Sequence, residues 1–284
     1  MIAPDHQPAA ADGTVTLGGD LTVNRMGFGA MWITLAGLEG GTKLLRRALE
    51  LGVNLIDTAD MYGGQESERL IAAALHPYPD DLVIATKGGQ VPFEQASRPD
   101  CRPEHLREAL EGSLKRLRLE CIDLYQLHNP DPDVPLEEAL GALGELRGQG
   151  KIRHIGVSNL YADQLSLAMS TVPVVSVQNL YSPTVRSSEG ELETCERHGI
   201  AFMPYRPLDS GSIVDSDGSI REIASAHRAT VAQVALAWLL EHSAWMLPIP
   251  GTSSIAHLEE NVRAATLRLT ANEVAQLDAV PAGA

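Results

Sequence analysis

The chain has few cysteines, few lysines, few aromatics and no unbroken apolar run, and each shortage narrows what it can be. Cys101, Cys121 and Cys195 are odd in number and widely spaced, with no CxxC and no histidine at ligand spacing. That pattern points to reduced thiols in a cytoplasm and away from a zinc or other metal site. The most apolar stretch, Val231 to Pro250, is interrupted by Gln233, Glu241, His242 and prolines, and is too broken to span a bilayer. Positive charge is scarce: 22 Lys and Arg stand against 37 Asp and Glu, a formal net charge of -15. Such a surface repels nucleic acid and anionic membranes, so an anionic ligand has to find a local positive site. The first dozen residues carry neither a basic region nor an apolar core; they do not resemble a signal peptide and are expected to form a flexible tail over 1–12.

What is present is a regular alternation. An apolar fraction of 44% and a charged fraction of 21% are those of an ordinary globular protein, and 284 residues match one eight-fold βα barrel. Strands are expected at Arg25 to Gly29, Val53 to Ala59, Leu82 to Lys87, Ile122 to His128, Ile152 to Ser158, Val174 to Asn179, Ala201 to Tyr205 and Met246 to Ile249. Between them lie segments such as SERLIAAAL and PEHLREALEGSLKRLRL, whose apolar residues recur at helical spacing. Pro103 opens one helix, and Gly52, Gly150 and Gly199 close others before the next strand. Eight such units without a long linker predict an α/β fold, a single (β/α)8 TIM barrel over 13–284. A hairpin over Thr14 to Val23 precedes it and an extra helix follows it. A doubly wound dinucleotide-binding sheet is the alternative, disfavoured because GFGAMW lacks the third glycine of its phosphate turn.

In a barrel of parallel strands the residues leaving the C-terminal ends converge on one face, where active sites are built. Asp57, Tyr62, Lys87 and His128 all fall there. Each has an ordinary reading: a turn-capping carboxylate, a loop aromatic, a solvated lysine, a backbone-bonded histidine. Lys87 resists its own. Of the four lysines, Lys43, Lys115 and Lys151 fall on helices or helix ends, whereas Lys87 terminates the run LVIAT. An ammonium pointing into a barrel mouth needs a carboxylate partner, and Asp57 on the neighbouring strand is the natural one. A cation about 4 Å from Tyr62 is worth roughly 4 kcal/mol at an effective dielectric near 20, about three pKa units before burial is subtracted. On that reading Tyr62 becomes a general acid near neutral pH.

These residues, in order and spacing, resemble the tetrad of the aldo-keto reductase superfamily. GVNLIDTADMYG, KRLRLECIDLYQLH, IRHIGVSN, VQNLYSP and IPGTSSIAHLEENV resemble its further phrases along nearly the whole chain. The resemblance implies hydride transfer from NADPH, with NADH the weaker alternative, to an aldehyde or ketone. Tyr62 would protonate the oxygen, Lys87 and Asp57 would tune it, and His128 would orient the carbonyl. It further implies that Gly29, Ala30 and Met31 border the cofactor, that Ser158, Asn159 and Gln178 hold the nicotinamide carboxamide, and that Tyr205 stacks on the ring. Arg206, Leu208 and Ser210 would follow the pyrophosphate, and Gly251, Thr252, Ser253, Ser254, His257, Glu260 and Asn261 would take the adenosine phosphate. Gly251 and His257 stand where one branch of the family has Lys and Arg. The substrate wall is expected from Trp32, Phe93, Met31 and the loop from Asp209 to Asp217; with aromatics at 4%, a tryptophan near the mouth is conspicuous. The expected partner is a small carbonyl compound, with the protein a monomer or weak oligomer. Two other readings stay open: a Schiff-base lyase using Lys87, and a nicotinamide-nucleotide-sensing protein on the same scaffold.

Overall fold

Short β-branched and aliphatic runs form a curled parallel sheet in the computed structural model, which describes residues 7–93, 96–209 and 218–282. An antiparallel hairpin comes first, β1 (Thr14–Leu17) with β2 (Leu21–Asn24). Its inward residues Val15, Leu17, Leu21 and Val23 are buried with Leu55, Val83, Leu124 and Leu247, so it plugs the end of the barrel away from the strand C-termini. The sheet then takes β3 (Phe28–Gly29), β4 (Leu55–Asp57) and β5 (Val83–Gly88). A second hairpin, β6 (Gln90–Phe93) with β7 (Ala96–Pro99), interrupts it before β8 (Ile122–Leu127), β9 (Ile152–Ser158), β10 (Val174–Gln178) and β11 (Ala201–Phe202). All neighbours in the larger sheet pair in parallel, in the order β11-β10-β9-β8-β5-β4-β3.

The eighth stave is present as chain but not as a strand. Parallel bridges join Phe202 to Met246 and Gly29 to Gly251. Leu247 N donates to Phe202 O at 2.8 Å, and Gly27 N and Gly29 N donate to Pro248 O and Pro250 O at 2.9 and 3.3 Å. This segment therefore closes β11 onto β3 and completes a (β/α)8 barrel. The expected strand Met246 to Ile249 is corrected to this proline-interrupted stave, because Pro248 and Pro250 have no N–H to give to a ladder. Pro204 ends β11 well short of Tyr205 in the same way, and the first strand shrinks from Arg25–Gly29 to two residues. The seam is tight: a Cβ on Gly29 would lie 2.6 Å from Ile249 O, and one on Gly251 would lie 2.8 Å from Gly29 O.

Helices cover the outside: α1 (Gly37–Glu50), α2 (Glu66–Leu75), α3 (Pro103–Leu117), α4 (Leu136–Gly148), α5 (Ala162–Thr171), α6 (Glu189–His198), α7 (Gly218–His227), α8 (Val231–His242), α9 (Ile255–Arg263) and α10 (Ala271–Asp278). Their apolar stripes and the outward strand residues form one continuous core, from Leu44 and Ile71 through Leu110 and Leu143 to Trp238. α8, from the apolar stretch noted in the sequence, buries Val234 through Leu240. No described helix is long and apolar enough to cross a membrane. The tail expected over 1–12 is docked along its described part. A 3-10 turn, Pro8–Ala10, buries Ala9, whose N–H donates to Leu51 O. Asp12 pairs with the largely buried Arg25 at 2.6 Å, an ion pair that composition alone does not reveal.

Candidate active site

Asp57 ends β4 beside Ala85 of β5, which places Lys87 one pleat further up the same face. Both are buried, Lys87 completely. Its Nζ donates to Asp57 Oδ2 at 2.6 Å, to Thr58 O at 2.8 Å and to Tyr62 Oη at 3.5 Å. Tyr62 lies on the turn between β4 and α2, with Lys87 Nζ 5.1 Å from its ring centre. His128 follows β8, edge-on to Tyr62 with centroids 5.9 Å apart, and its Nδ1 is buried with no hydrogen-bond partner among the described residues. The structure thus brings all four expected residues together at the C-terminal mouth.

Burial disfavours the ammonium of Lys87, but Asp57 and Tyr62 outweigh it and hold the lysine above its ordinary value. Burial likewise pushes the Tyr62 phenol up, and the pull of Lys87 only partly offsets this. The expectation that Lys87 brings the phenol down toward neutrality is corrected: desolvation of a phenolate in this pocket exceeds the attraction of a cation whose charge Asp57 already engages. His128 is pushed down to about 3 by burial and by Lys87, so its imidazole is neutral at neutral pH. The result is a proton-bearing phenol, a charged lysine and a neutral imidazole around one small volume.

The residues expected to hold the cofactor are partly tied to this centre. Ser158 Oγ donates to Gln178 O at 2.7 Å, and Gln178 Nε2 donates to Asp57 Oδ1 at 2.9 Å. Asn159, at φ 59, donates from Nδ2 to His128 O at 3.0 Å and accepts from Tyr205 Oη at 2.8 Å. Tyr205 is half-buried and Arg206 exposed, while Leu208 turns toward the core. Ala30 is buried against the Ser67 hydroxyl. Met31 and Trp32 are 45% and 47% exposed, and Trp32 Cδ1 would touch a Cβ on Gly251 at 3.5 Å. Trp32 is therefore not a core residue. At the start of α9, Thr252 is buried and accepts from Ser254 N at 3.0 Å, while Ser254 caps the helix by accepting from His257 N at 3.4 Å. Ser253 and His257 are exposed; Asn261 is buried. Glu260 accepts from Thr230 Oγ1 at 2.6 Å. Ser210 and residues 211–217 lie outside the described residues, and Phe93 is described by its backbone alone.

Two residues of consequence escaped the sequence reading. Gln126 donates to Asp57 Oδ1 at 3.0 Å; strand alternation puts it on the face of Leu124 and His128, which is the signal that could have found it. Asp60 is buried with Oδ1 lacking a partner among the described residues. Burial, then the charge of Glu68, raises its carboxyl to about 7. Glu68 itself is occupied by Arg116 and Thr86.

A carboxyl raised from 3.8 to about 7 binds a proton more tightly in the folded chain than in the unfolded one. Its contribution to stability is complete below pH 3.8 and is lost as pH rises through 7. Asp60→Asn is accordingly expected to raise the melting temperature more at pH 9 than at pH 5, with a ceiling on the order of 4 kcal/mol from the size of the shift. Thermal melts of both proteins across that range test it; a pH-independent difference would remove Asp60 as the titrating group.

The sequence profile of the aldo/keto reductase family matches residues 25–282. The chain belongs to that family. An uncharacterised oxidoreductase of Schizosaccharomyces pombe is 43% identical over 278 residues, covering 95% of this chain and 90% of the relative. Pyridoxine 4-dehydrogenase of Escherichia coli is 38% identical over 282 residues, 94% of this chain and 98% of that one. Among solved structures, an aldo-keto reductase from Klebsiella pneumoniae in complex with NADPH superposes with a TM-score of 0.82 at 31% identity, over 95% of each chain. This aldo-keto reductase is therefore an oxidoreductase by family, and among its described residues no group of three His, Cys, Asp or Glu side chains is placed to hold a metal ion.

Proposed function

We propose that this reductase uses NADPH to reduce an aldehyde or ketone to an alcohol, with Tyr62 as the general acid. The observation that carries the proposal is the buried Lys87–Asp57 pair with Tyr62 Oη at 3.5 Å from the ammonium. The residues present suit the cofactor. Tyr205 offers a half-buried aromatic face, Gln178 keeps Oε1 to accept from a carboxamide while its NH2 is held by Asp57, and the capped start of α9 presents N–H groups to an anion. Bound there, the cofactor supplies a hydride to the carbonyl carbon.

The chain's own residues handle the oxygen. Neutral His128 donates one N–H to the carbonyl and fixes its direction, and Tyr62 gives its proton to the developing alkoxide. Lys87 favours the tyrosinate left behind, and Asp57 keeps Lys87 charged and in place. A Schiff-base reading fits less well, since it needs a neutral amine and Lys87 is held charged. The name of the Escherichia coli relative puts the 4-aldehyde of the pyridoxine skeleton first among substrates to try. NADPH absorbance over a panel of aldehydes and ketones tests the reading: saturable, substrate-dependent oxidation is expected, and none with any carbonyl would defeat it.

NADPH is expected to bind more tightly than NADH by about tenfold, with the margin shrinking in salt. Ser253, Ser254 and Thr252 are neutral donors, and His257 replaces a fixed charge; a charge-assisted hydrogen bond is worth roughly 1.5 to 3 kcal/mol, so the absence of a Lys and Arg pair leaves a modest preference. Dissociation constants for both cofactors in wild type and His257→Ala check this. The variant should narrow the ratio, and tighter binding of NADH by the wild type would overturn the assignment of this loop.

A further inference from the structure

We infer that Gln126 is a positioning residue that holds the Asp57 carboxylate for Lys87, and that the barrel interior is shaped around it. The inference rests on the reductase reading above and extends it to a residue outside the tetrad.

Asp57 divides its two oxygens. Oδ2 accepts from Lys87, and Oδ1 accepts from Gln126 Nε2 at 3.0 Å and Gln178 Nε2 at 2.9 Å. A carboxylate only accepts, so both amides have to present their NH2 groups to it. That fixes Gln126 Oε1 on the opposite side, where Gln178 Nε2 and Ser176 Oγ approach at 3.4 and 3.5 Å. Asp57, Lys87, Gln126, Gln178 and Ser176 are all buried. The layer is built from adjacent strands: Lys87 pairs with Gln126, Gln126 with Gly156, and Gly156 with Ser176. Gly156 leaves the room. A Cβ there would come 2.8 Å from Gln126 Cγ and 2.2 Å from Ser176 Oγ, so the amide occupies a space that any larger residue on β9 would take.

Barrel interiors are ordinarily filled with branched aliphatic side chains. An amide in this layer is justified by what it does to Asp57. Without Gln126, the carboxylate loses a donor on Oδ1 and is freer to turn away from Lys87 or to take up a proton. Either change weakens the negative charge that keeps Lys87 protonated and that raises the Tyr62 phenol. The charged and titratable groups around the layer are Asp57 and Asp60 from the β4 end, Tyr62 from the turn after it, Lys87 from β5 and His128 after β8; β10 contributes Ser176 and Gln178, and β9 contributes Gly156, with His154 one pleat below it, bonded to Asp20 of the hairpin. Loss of the Gln126 donor therefore moves the Tyr62–Lys87 pair toward losing its protons at lower pH.

The test uses Gln126→Met, equal in size without the donor, and Gln126→Glu, a donor only when protonated. For Gln126→Met we expect kcat for carbonyl reduction to fall about tenfold, the effect of one hydrogen bond to a charged group. The alkaline limb of its kcat profile should move down by about one pH unit, while NADPH dissociation constants stay within about threefold of wild type. Ultraviolet titration of the cofactor-free protein, with Tyr62→Phe subtracted, should place formation of the Tyr62 phenolate at correspondingly lower pH. Gln126→Glu should be active in acid and lose activity as its carboxyl ionises against Asp57; its readout is made on folded, active protein even if the Met variant fails to fold. Wild-type kcat and pH limb in Gln126→Met would overturn the inference, as would a loss of activity with no shift in either titration, the mark of a packing role alone. A wild-type protein that reduces no carbonyl compound would fail the reductase reading itself and take this inference with it.

Discussion

Tyr62→Phe is expected to lower carbonyl reduction by about two to four orders of magnitude, the usual loss when a positioned acid is removed, with NADPH affinity nearly unchanged. The phenylalanine ring keeps the edge contact with His128 and the place over Lys87 Nζ; only the hydroxyl goes. Because burial holds the phenol protonated, wild-type Tyr62 carries its proton at neutral pH and delivers it to an oxygen that is becoming basic. His128 cannot take over, since burial and Lys87 hold it neutral, with its pKa at about 3, and a neutral imidazole is a poor acid. Steady-state rates with cofactor fluorescence quenching as the control check the expectation. Turnover within a few fold of wild type would sink the assignment of Tyr62, and an equal loss of cofactor affinity would point to a collapsed pocket instead.

Most of this architecture was legible because short continuous aliphatic runs alternate with segments of helical spacing, as expected where parallel strands are buried on both faces. Runs ending in polar residues located β4, β5, β8, β9 and β10 within a residue or two, and the same endings located Asp57, Lys87 and His128. What could not be read was set by interactions distant in sequence. The eighth stave is expected as a regular strand over Met246 to Ile249; that it pairs only through isolated bridges follows from the carbonyls of Pro248 and Pro250 meeting Gly27 and Gly29, a pairing the local residues do not show. Gln126 looked like one polar residue in an apolar strand; its meaning comes from Asp57, 69 positions away in sequence. The sign of the Tyr62 shift was misjudged for a related reason. The distance to a cation is readable from strand order, whereas the desolvation that opposes it depends on every element packed around the phenol.

Lys87→Met is expected to suppress turnover to a similar degree and, unlike Tyr62→Phe, to destabilise the fold. Removing the ammonium leaves Asp57 buried with two neutral donors, Gln126 and Gln178, and no counter-charge; breaking a buried pair in this way typically costs about 3 to 5 kcal/mol. Lys87 is held above its ordinary value, so the stability it contributes is present through neutral pH and is lost only as pH rises past that raised value. The melting temperature of the variant should therefore lie below wild type by a similar amount from pH 6 to 9. The residual activity should tell a different story. With the cation gone, nothing offsets burial at Tyr62, and the alkaline limb of the remaining reduction should move to higher pH, opposite to the shift expected for Gln126→Met. Adding Asp57→Asn separates the two effects: the double variant should regain much of the lost stability, because the unpaired charge is gone, yet recover no turnover, because the cation that favours the tyrosinate is still missing. Thermal melts and pH–rate profiles of the two single variants and the double variant check this, provided the chemical step limits the rate. Recovery of activity in the double variant, or a single variant whose pH limb does not move, would break the proposed link from Asp57 through Lys87 to the proton on Tyr62.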